Sequence, residues 1–390
     1  MELKQKQILI TIWILGNPEC LRSMADRFNI TKSILVGVYR RICGATANNL
    51  SGQYMSNNSL ILLNFSNRKN RELKMKPDTE WIVITVLYAI TMLVAFAGNS
   101  FLVYIVWKKP EVRSLTSFMF VNMAIADLLV TLVVMPWSIS FIYTDGLWMI
   151  PGVFGKVMCK GVVYTAYVTL TASILCLTFM AIDRYYAIVH PLRRHLWFRK
   201  PKLTVSFIWI GSLVSMSVFL VIQTVEDYNN YSYCMLSFYI LGDPDRALRG
   251  IYLLLFVVNY LIPLAVISFL YTITAWNLWF HVAPGVNTLR GNRAQLETSK
   301  RRVVRMLIIV TCAFALCWLP PQVVHVMTVI HASKAYLHIQ PIVSFVCFWF
   351  GHANSAVNPW LYIFLSTKIN TAFTKIISRK SSLTIKTSDV

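Results

Sequence analysis

From residue 81 to residue 365 the chain alternates long apolar runs with short polar breaks. Seven runs can be drawn, near Trp81–Trp107, Leu115–Tyr143, Gly155–Val189, Leu203–Val225, Ala247–Phe280, Arg302–His331 and Leu337–Leu365. A helix rises about 1.5 Å per residue and about 20 residues cover a hydrocarbon core, so each run predicts a membrane-crossing helix. Beyond them Lys368, Phe373, Lys375, Ile376 and Ile377 form an amphipathic pattern suited to a short helix lying along the membrane surface. The expected fold is an all-α membrane protein, a seven-transmembrane helix bundle with a short amphipathic eighth helix. Residues 1–76 would form an amino-terminal extracellular tail, 77–366 the bundle, and 367–390 the amphipathic helix and cytoplasmic tail.

Composition supports the pattern. With 56% hydrophobic and 14% charged residues, and a mean hydropathy of +0.57, the chain is too apolar for an ordinary soluble protein. A formal charge of +21 would suggest nucleic acid in a soluble domain, but here much of it sits in short loops. Lys108, Lys109 and Arg113 follow the first run; Arg193, Arg194, Arg199, Lys200 and Lys202 the third; Arg290, Arg293, Lys300, Arg301 and Arg302 the fifth. Alternate loops carry Asp145, Glu226, Asp227, Asp243 and Asp245. Basic loops face the cytoplasm, which puts the amino terminus outside and the carboxyl terminus inside; the expected location is the plasma membrane, with no nucleic-acid partner. Cys176, Cys312, Cys317 and Cys347 lie inside runs and pack as small hydrophobes, whereas Cys159 and Cys234 fall where oxidising solvent could bridge them.

The first 76 residues stand apart. Asn29, Asn49, Asn57 and Asn64 begin Asn-x-Ser/Thr sites, glycan acceptors if this tail is extracellular. Ile8 to Leu15, behind Lys4 and Lys6, has the length of a signal-peptide core and is too short to span a membrane. A second reading stays open for residues 8–45. Ile8 to Pro18, Leu21 to Ser33 and Val36 to Ile42 have helix-turn-helix patterning similar to the leading segment of transposase-derived nucleases, with Arg22, Lys32, Arg40 and Arg41 on a former DNA-contacting surface. On that reading residues 1–45 are a fused or mispredicted segment.

Polar groups inside the runs carry the functional signal. Asp127 lies in mid-span and must face the bundle interior, either as a helix-to-helix hydrogen-bond acceptor or as part of a cation site. The third run closes on Asp183-Arg184-Tyr185, and Cys159 stands about 36 Å away at its other end, roughly one bilayer. The sixth contains Cys317-Trp318-Leu319-Pro320, the seventh Asn358-Pro359-Trp360-Leu361-Tyr362, and Pro263 interrupts the fifth. In this order and in these spans the motifs resemble those of the rhodopsin-like (class A) G protein-coupled receptors, and Val134-Met135-Pro136-Trp137 with Val157-Met158-Cys159-Lys160 is similar to neuropeptide receptors.

The resemblance implies a receptor with no enzyme activity and no catalytic residue, activating a heterotrimeric G protein on binding an extracellular peptide. Cys159 would pair with Cys234. Asp183, Arg184, Tyr185, Tyr271, Asn358, Pro359 and Tyr362 would serve coupling, and Ile174, Pro263, Phe314, Trp318 and Pro320 would form the toggle and hinge. Asp127, Ser173, Asn354, Ser355 and Asn358 would hold an allosteric sodium ion, the sole cofactor implied. Trp209 would be the packing tryptophan of the fourth span. Ligand contacts would fall to Trp137, Tyr167, Gln322, His325, Phe348 and His352 beneath a loop carrying Glu226 and Asp227. Arrestin, a PDZ protein on Thr387-Ser388-Asp389-Val390 and membrane lipids complete the expected partners.

Three departures narrow this picture. Ala166 replaces the aspartate of amine receptors, seventeen residues before Asp183, and His352 replaces the Schiff-base lysine of light receptors, six before Asn358. Lys300 stands twenty residues before Pro320, where many relatives place an acid that holds the arginine of the third helix. A lipid or neutral small molecule remains the alternative ligand. A transporter would show inverted repeats with broken helices, which the chain lacks.

Overall fold

The computed structural model describes residues 79–144, 147–191, 197–228, 231–280, 290–331 and 341–387, with parts of these as backbone alone. The helix-turn-helix segment, the apolar run from Ile8, the three acceptors Asn49, Asn57 and Asn64, and the end of the carboxyl tail lie outside the described residues. Eight long helices and one hairpin carry the described chain: α1 Thr79–Lys108, α2 Leu115–Thr144, α3 Gly152–Val189, α4 Pro201–Ile222, β1 Gln223–Tyr228, β2 Tyr231–Leu236, α5 Pro244–Phe280, α6 Arg290–His331, α7 Pro341–Leu365 and α8 Thr367–Thr387.

Helices α1 to α6 are each long and apolar enough to cross a membrane. Helix α7 has 25 residues and no Asp, Glu, Lys or Arg, but His352, Asn354, Ser355 and Asn358 dilute its apolar character. The helix with the weakest membrane signal is thus one that buries Asn354, Ser355 and Asn358 in the bundle. Helix α3 is central and touches α2, α4, α5, α6 and the hairpin, while α7 packs between α1 and α6. Leu102, Phe120, Met123, Leu177, Ile267, Leu307 and Tyr362 belong to the core they share. Leu93, Val214, Phe269 and Leu316 remain on the outer surface, where a bilayer covers them as a soluble protein's core would.

Prolines leave two marks. A π-turn at Val130–Val134 precedes Pro136, and another at Val257–Leu261 precedes Pro263. A proline offers no N–H and its ring crowds the carbonyl four residues back, so a locally widened turn relieves both. The expected kink at Pro263 therefore takes the form of a widened turn within a continuous helix.

Three predicted boundaries need correction. The fourth run was drawn to Val225, but the helix ends at Ile222 and Gln223, Thr224 and Val225 belong to β1. Tertiary bonding overrides the apolar pattern here: Val225 pairs with Cys234 across the hairpin, and the Gln223 amide donates to the Cys234 sulfur at 3.1 Å. Helix α6 begins at Arg290, well before the predicted Arg302, because hydropathy finds the membrane and not the helix. Helix α8 reaches Thr387, longer than the predicted short element, with Ile369 and Ala372 buried and Phe373 edge-on to Phe101 at 5.3 Å.

Two glycines permit close approach. A β-carbon on Gly98 would lie 2.7 Å from Pro359, so α1 can meet the Asn-Pro turn of α7 only without a side chain there. A β-carbon on Gly155 would collide with the Ile150 carbonyl, which explains a glycine in the tight entry to α3.

Candidate functional site

The end of α3 holds a charge pair. Arg184 Nη2 lies 2.7 Å from Asp183 Oδ2 and donates to Thr116 Oγ1 of α2 at 2.6 Å. Asp183 is also 3.4 Å from Arg199, on the 3₁₀ turn before α4. The guanidinium is thus held by its own helix and by α2, with Lys300 and not a carboxylate at the position on α6 expected to hold it. Tyr185 points elsewhere, stacking edge-on against Tyr186 at 5.3 Å with its hydroxyl 3.3 Å from His190.

Midway along the bundle, Asp127 joins α2 to α7. Its carboxylate accepts from Ser355 Oγ at 2.8 Å and from Asn358 Nδ2 at 3.2 Å. Asn99 extends the link to α1 by donating to the Ser355 carbonyl at 2.9 Å. Ser173 and Asn354 are also buried, and the Oδ1 atoms of Asn354 and Asn358 have no hydrogen-bond partner. A buried amide oxygen without a donor is costly, and Asn99 Oδ1 is likewise unpartnered, so these three acceptors leave the cluster incomplete. One turn past Asn358, Tyr362 stacks on Phe120 at 4.0 Å and its hydroxyl meets the Met123 sulfur at 3.3 Å.

Above this cluster Phe314 is fully buried with Ile174 in the same core, and Trp318 lies 6.2 Å from the Phe314 ring. The Trp318 ring packs against Gly351 of α7, where a β-carbon would approach it to 3.1 Å. Pro320 and Pro321 follow inside the same continuous helix. Tyr260, in the π-turn of α5, donates to the Ala315 carbonyl at 2.9 Å and so ties α5 to α6 beside the prolines. Tyr271 is buried lower on α5 next to Thr311.

At the other end of the bundle Cys159, near the start of α3, is bonded to Cys234 of β2. The bridge fixes the hairpin to the helix, and the Trp148 N–H adds a bond to the Ser232 carbonyl at 2.7 Å. The residues expected to line the mouth divide into groups. Gln322 Oε1 is 3.3 Å from His325 Nδ1, and the His325 ring lies between Tyr252 and Phe348 at 5.0 and 6.1 Å. His352 instead meets the Tyr88 hydroxyl at 3.1 Å, against α1. Tyr167 stacks on Phe219 of α4 at 3.8 Å, and Trp137 packs with the same cluster. Two acidic residues of this end serve local structure: Asp227 accepts from Ser232 at 2.6 Å, and Asp243 caps α5 through the N–H groups of Asp245 and Arg246.

This arrangement can be set beside known proteins. The family model described as the 7 transmembrane receptor (rhodopsin family) matches residues 98–362. The chain belongs to this receptor family. The receptor is 31% identical over 301 residues to an allatostatin-A receptor of Bombyx mori, covering 76% of this chain and 79% of the relative. It is 31% identical to a G-protein coupled receptor 54 of Oreochromis niloticus, over 76% and 78% of the two chains, and 30% identical to a somatostatin receptor type 5 of Bos taurus, over 77% of each.

Sequence reasoning missed several members of the receptor's polar network. Thr116 and Arg199 hold the charge pair, Tyr88 meets His352, and Tyr252 stacks on His325. None stands in a motif, and each is reached only by bringing another helix alongside. Trp209 did carry a signal, as the packing tryptophan, but its partner emerges only in three dimensions: its indole donates to Asn122 Oδ1 at 3.1 Å, linking α4 to α2.

Proposed function

We propose that this receptor binds a peptide at its disulfide end and, in response, opens a cavity for a heterotrimeric G protein at its Arg184 end. The observation that carries the reading is the Arg184 guanidinium, held by Asp183 and Thr116 at the opposite end of α3 from a hairpin tied down by disulfide. The basic loops support an Arg184 end inside the cell and a hairpin outside it. The names of the relatives favour a peptide, two of them being receptors for allatostatin-A and somatostatin. Glu226, in register with Tyr233 on the hairpin, and Asp245 are the acidic residues best placed to meet a basic peptide, since Asp227 and Asp243 accept local hydrogen bonds. Gln322, His325, Phe348 and Tyr252 would form the buried part of its site.

Opening requires Arg184 to leave Asp183 and Thr116 as the Arg184 end of α6 moves about Pro320, with Tyr271 and Tyr362 joining it. A ligand drives this only through tighter binding to the open form, and a shift from about 1:99 to 99:1 needs roughly 5.5 kcal/mol of preference. The unpartnered oxygens of Asn354 and Asn358, with Asp127, Ser173 and Ser355, are a hard donor set suited to a sodium ion, which would supply positive charge that favours the closed bundle. Arrestin at the same cavity and a PDZ domain at the carboxyl end belong to the same proposal.

The decisive experiment screens a peptide library on membranes from expressing cells. A peptide that binds should bind more weakly when a GTP analogue is added, because coupling between the two sites is reciprocal. Binding indifferent to the nucleotide with every peptide would overturn the reading. Lys300→Glu restores an acid opposite Arg184 and should lower ligand-free signalling by severalfold, as a cross-helix pair of about 1 kcal/mol would. Unchanged basal output at equal surface expression would remove Lys300 from the account.

A further inference from the structure

Towards the Arg184 end of the bundle, α5 and α6 diverge and leave a side-facing cavity of about 640 Å³. Ile267, Ala275, Trp276 and Trp279 of α5 line it, with Ile308 and Cys312 of α6. Lined mainly by apolar groups and set among membrane-spanning helices, it is a poor place for water and a good one for hydrocarbon. Its volume is of the order of one fatty-acyl chain.

Its mouth is cationic. Arg301, Arg305, Ile308 and Cys312 fall at i, i+4, i+7 and i+11 and so form one stripe of α6, which begins with two arginines and runs into the cavity. Arg301 donates to the Leu278 carbonyl at 3.0 Å and lies 5.6 Å over the Trp279 ring, which fixes its guanidinium at the lip. Its Nε is buried without a partner, and Arg305 is exposed. Among the described residues no carboxylate stands within ion-pair distance of either arginine. An aromatic pair at a membrane boundary, beside two cations that form no ion pair with a described residue, is what an anionic lipid headgroup requires.

We infer that this groove is a binding site for one anionic phospholipid, its acyl chain between α5 and α6 and its phosphate on Arg301 and Arg305. The binding goes beyond the signalling role and does not depend on it. If that role also holds, the lipid sits against Tyr271 and Thr311, in the gap that any movement of α6 must reshape. Phosphatidylserine is the natural occupant where this end faces the cell interior.

Native mass spectrometry of the purified full chain, titrated with phosphatidylserine or phosphatidylcholine, tests the site. One phosphatidylserine should be retained in preference to phosphatidylcholine. Each arginine contributes about fivefold, the equivalent of about 1 kcal/mol. Arg301→Gln with Arg305→Gln should therefore weaken retention by about twenty-five-fold. Arg301→Lys keeps the charge and should retain most of the preference, which separates a lost site from a lost fold. Ala275→Trp fills the groove and should abolish retention with both arginines present, whereas Lys368→Gln with Lys375→Gln on α8 should change nothing. Equal retention of the two lipids, or a double arginine variant that binds like the parent, overturns the proposal. Full displacement by soluble glycerophosphoserine would also overturn it, since the chain would then contribute nothing.

Discussion

Replacing Cys159 with serine should lower the thermal stability of the purified receptor sharply and remove most peptide binding. The bond joins residues 75 positions apart, and closing a loop of that length is worth roughly 2–5 kcal/mol in chain-entropy terms. The larger effect is geometric. Without the bridge, β1 and β2 keep the bonds that pair them but lose their covalent attachment to α3, and the Gln223 amide faces one thiol and one hydroxyl in place of a fixed disulfide. Cys234→Ser should match Cys159→Ser, and the double variant should be no worse than either alone, because one interaction is lost in all three. A single variant that melts and binds like the parent would show that the hairpin is held by other means. A double variant much worse than the singles would show that each sulfur has a separate role.

The second large effect lies at Asp127. Alanine there strands two buried donors, Ser355 Oγ and Asn358 Nδ2, and an unsatisfied buried group costs about 1–3 kcal/mol. Asp127→Ala should therefore destabilise the receptor by roughly 2–6 kcal/mol, measured as a fall in melting temperature. Asp127→Asn retains an oxygen for one donor and should cost about half as much. The two variants converge on a second readout. Raising sodium at constant ionic strength should weaken agonist binding to the parent and leave both variants indifferent, since neither keeps the carboxylate that a cation needs. Parent binding insensitive to sodium would dismiss the ion and leave Asp127 as a helix-to-helix hydrogen-bond acceptor, which the stability measurements would still support.

Much of this was legible before any coordinates. The all-α bundle follows from apolar runs too long for anything but membrane helices, and the inward-facing Asp127 follows from the cost of a carboxylate in lipid, whereas its partners on α7 were implied by the family resemblance. What hydropathy could not see were features set by contacts between distant residues. The strand at Gln223–Tyr228 looks like the end of a helix until Cys234 draws it alongside β2. Tyr167 and Trp137, expected at the mouth by resemblance, have packing partners on α4 and its neighbours that no motif announces, because an aromatic side chain's burial depends on which helix lies opposite. The π-turns were equally hidden, since a proline announces a disturbance but not the form of its relief.

Those π-turns set which way the hairpin-side segments of α2 and α5 face. An α-helix turns about 100° per residue, so dropping one residue from Val130–Val134 would restore regular winding and rotate everything from Pro136 to Thr144 by about that angle. Phe141 would swing away from Phe345, and a different set of side chains would greet an incoming peptide. A single lost codon could thus re-aim the mouth of the receptor while the span stayed long enough to cross its membrane, and the same holds for the segment of α5 that carries Tyr252.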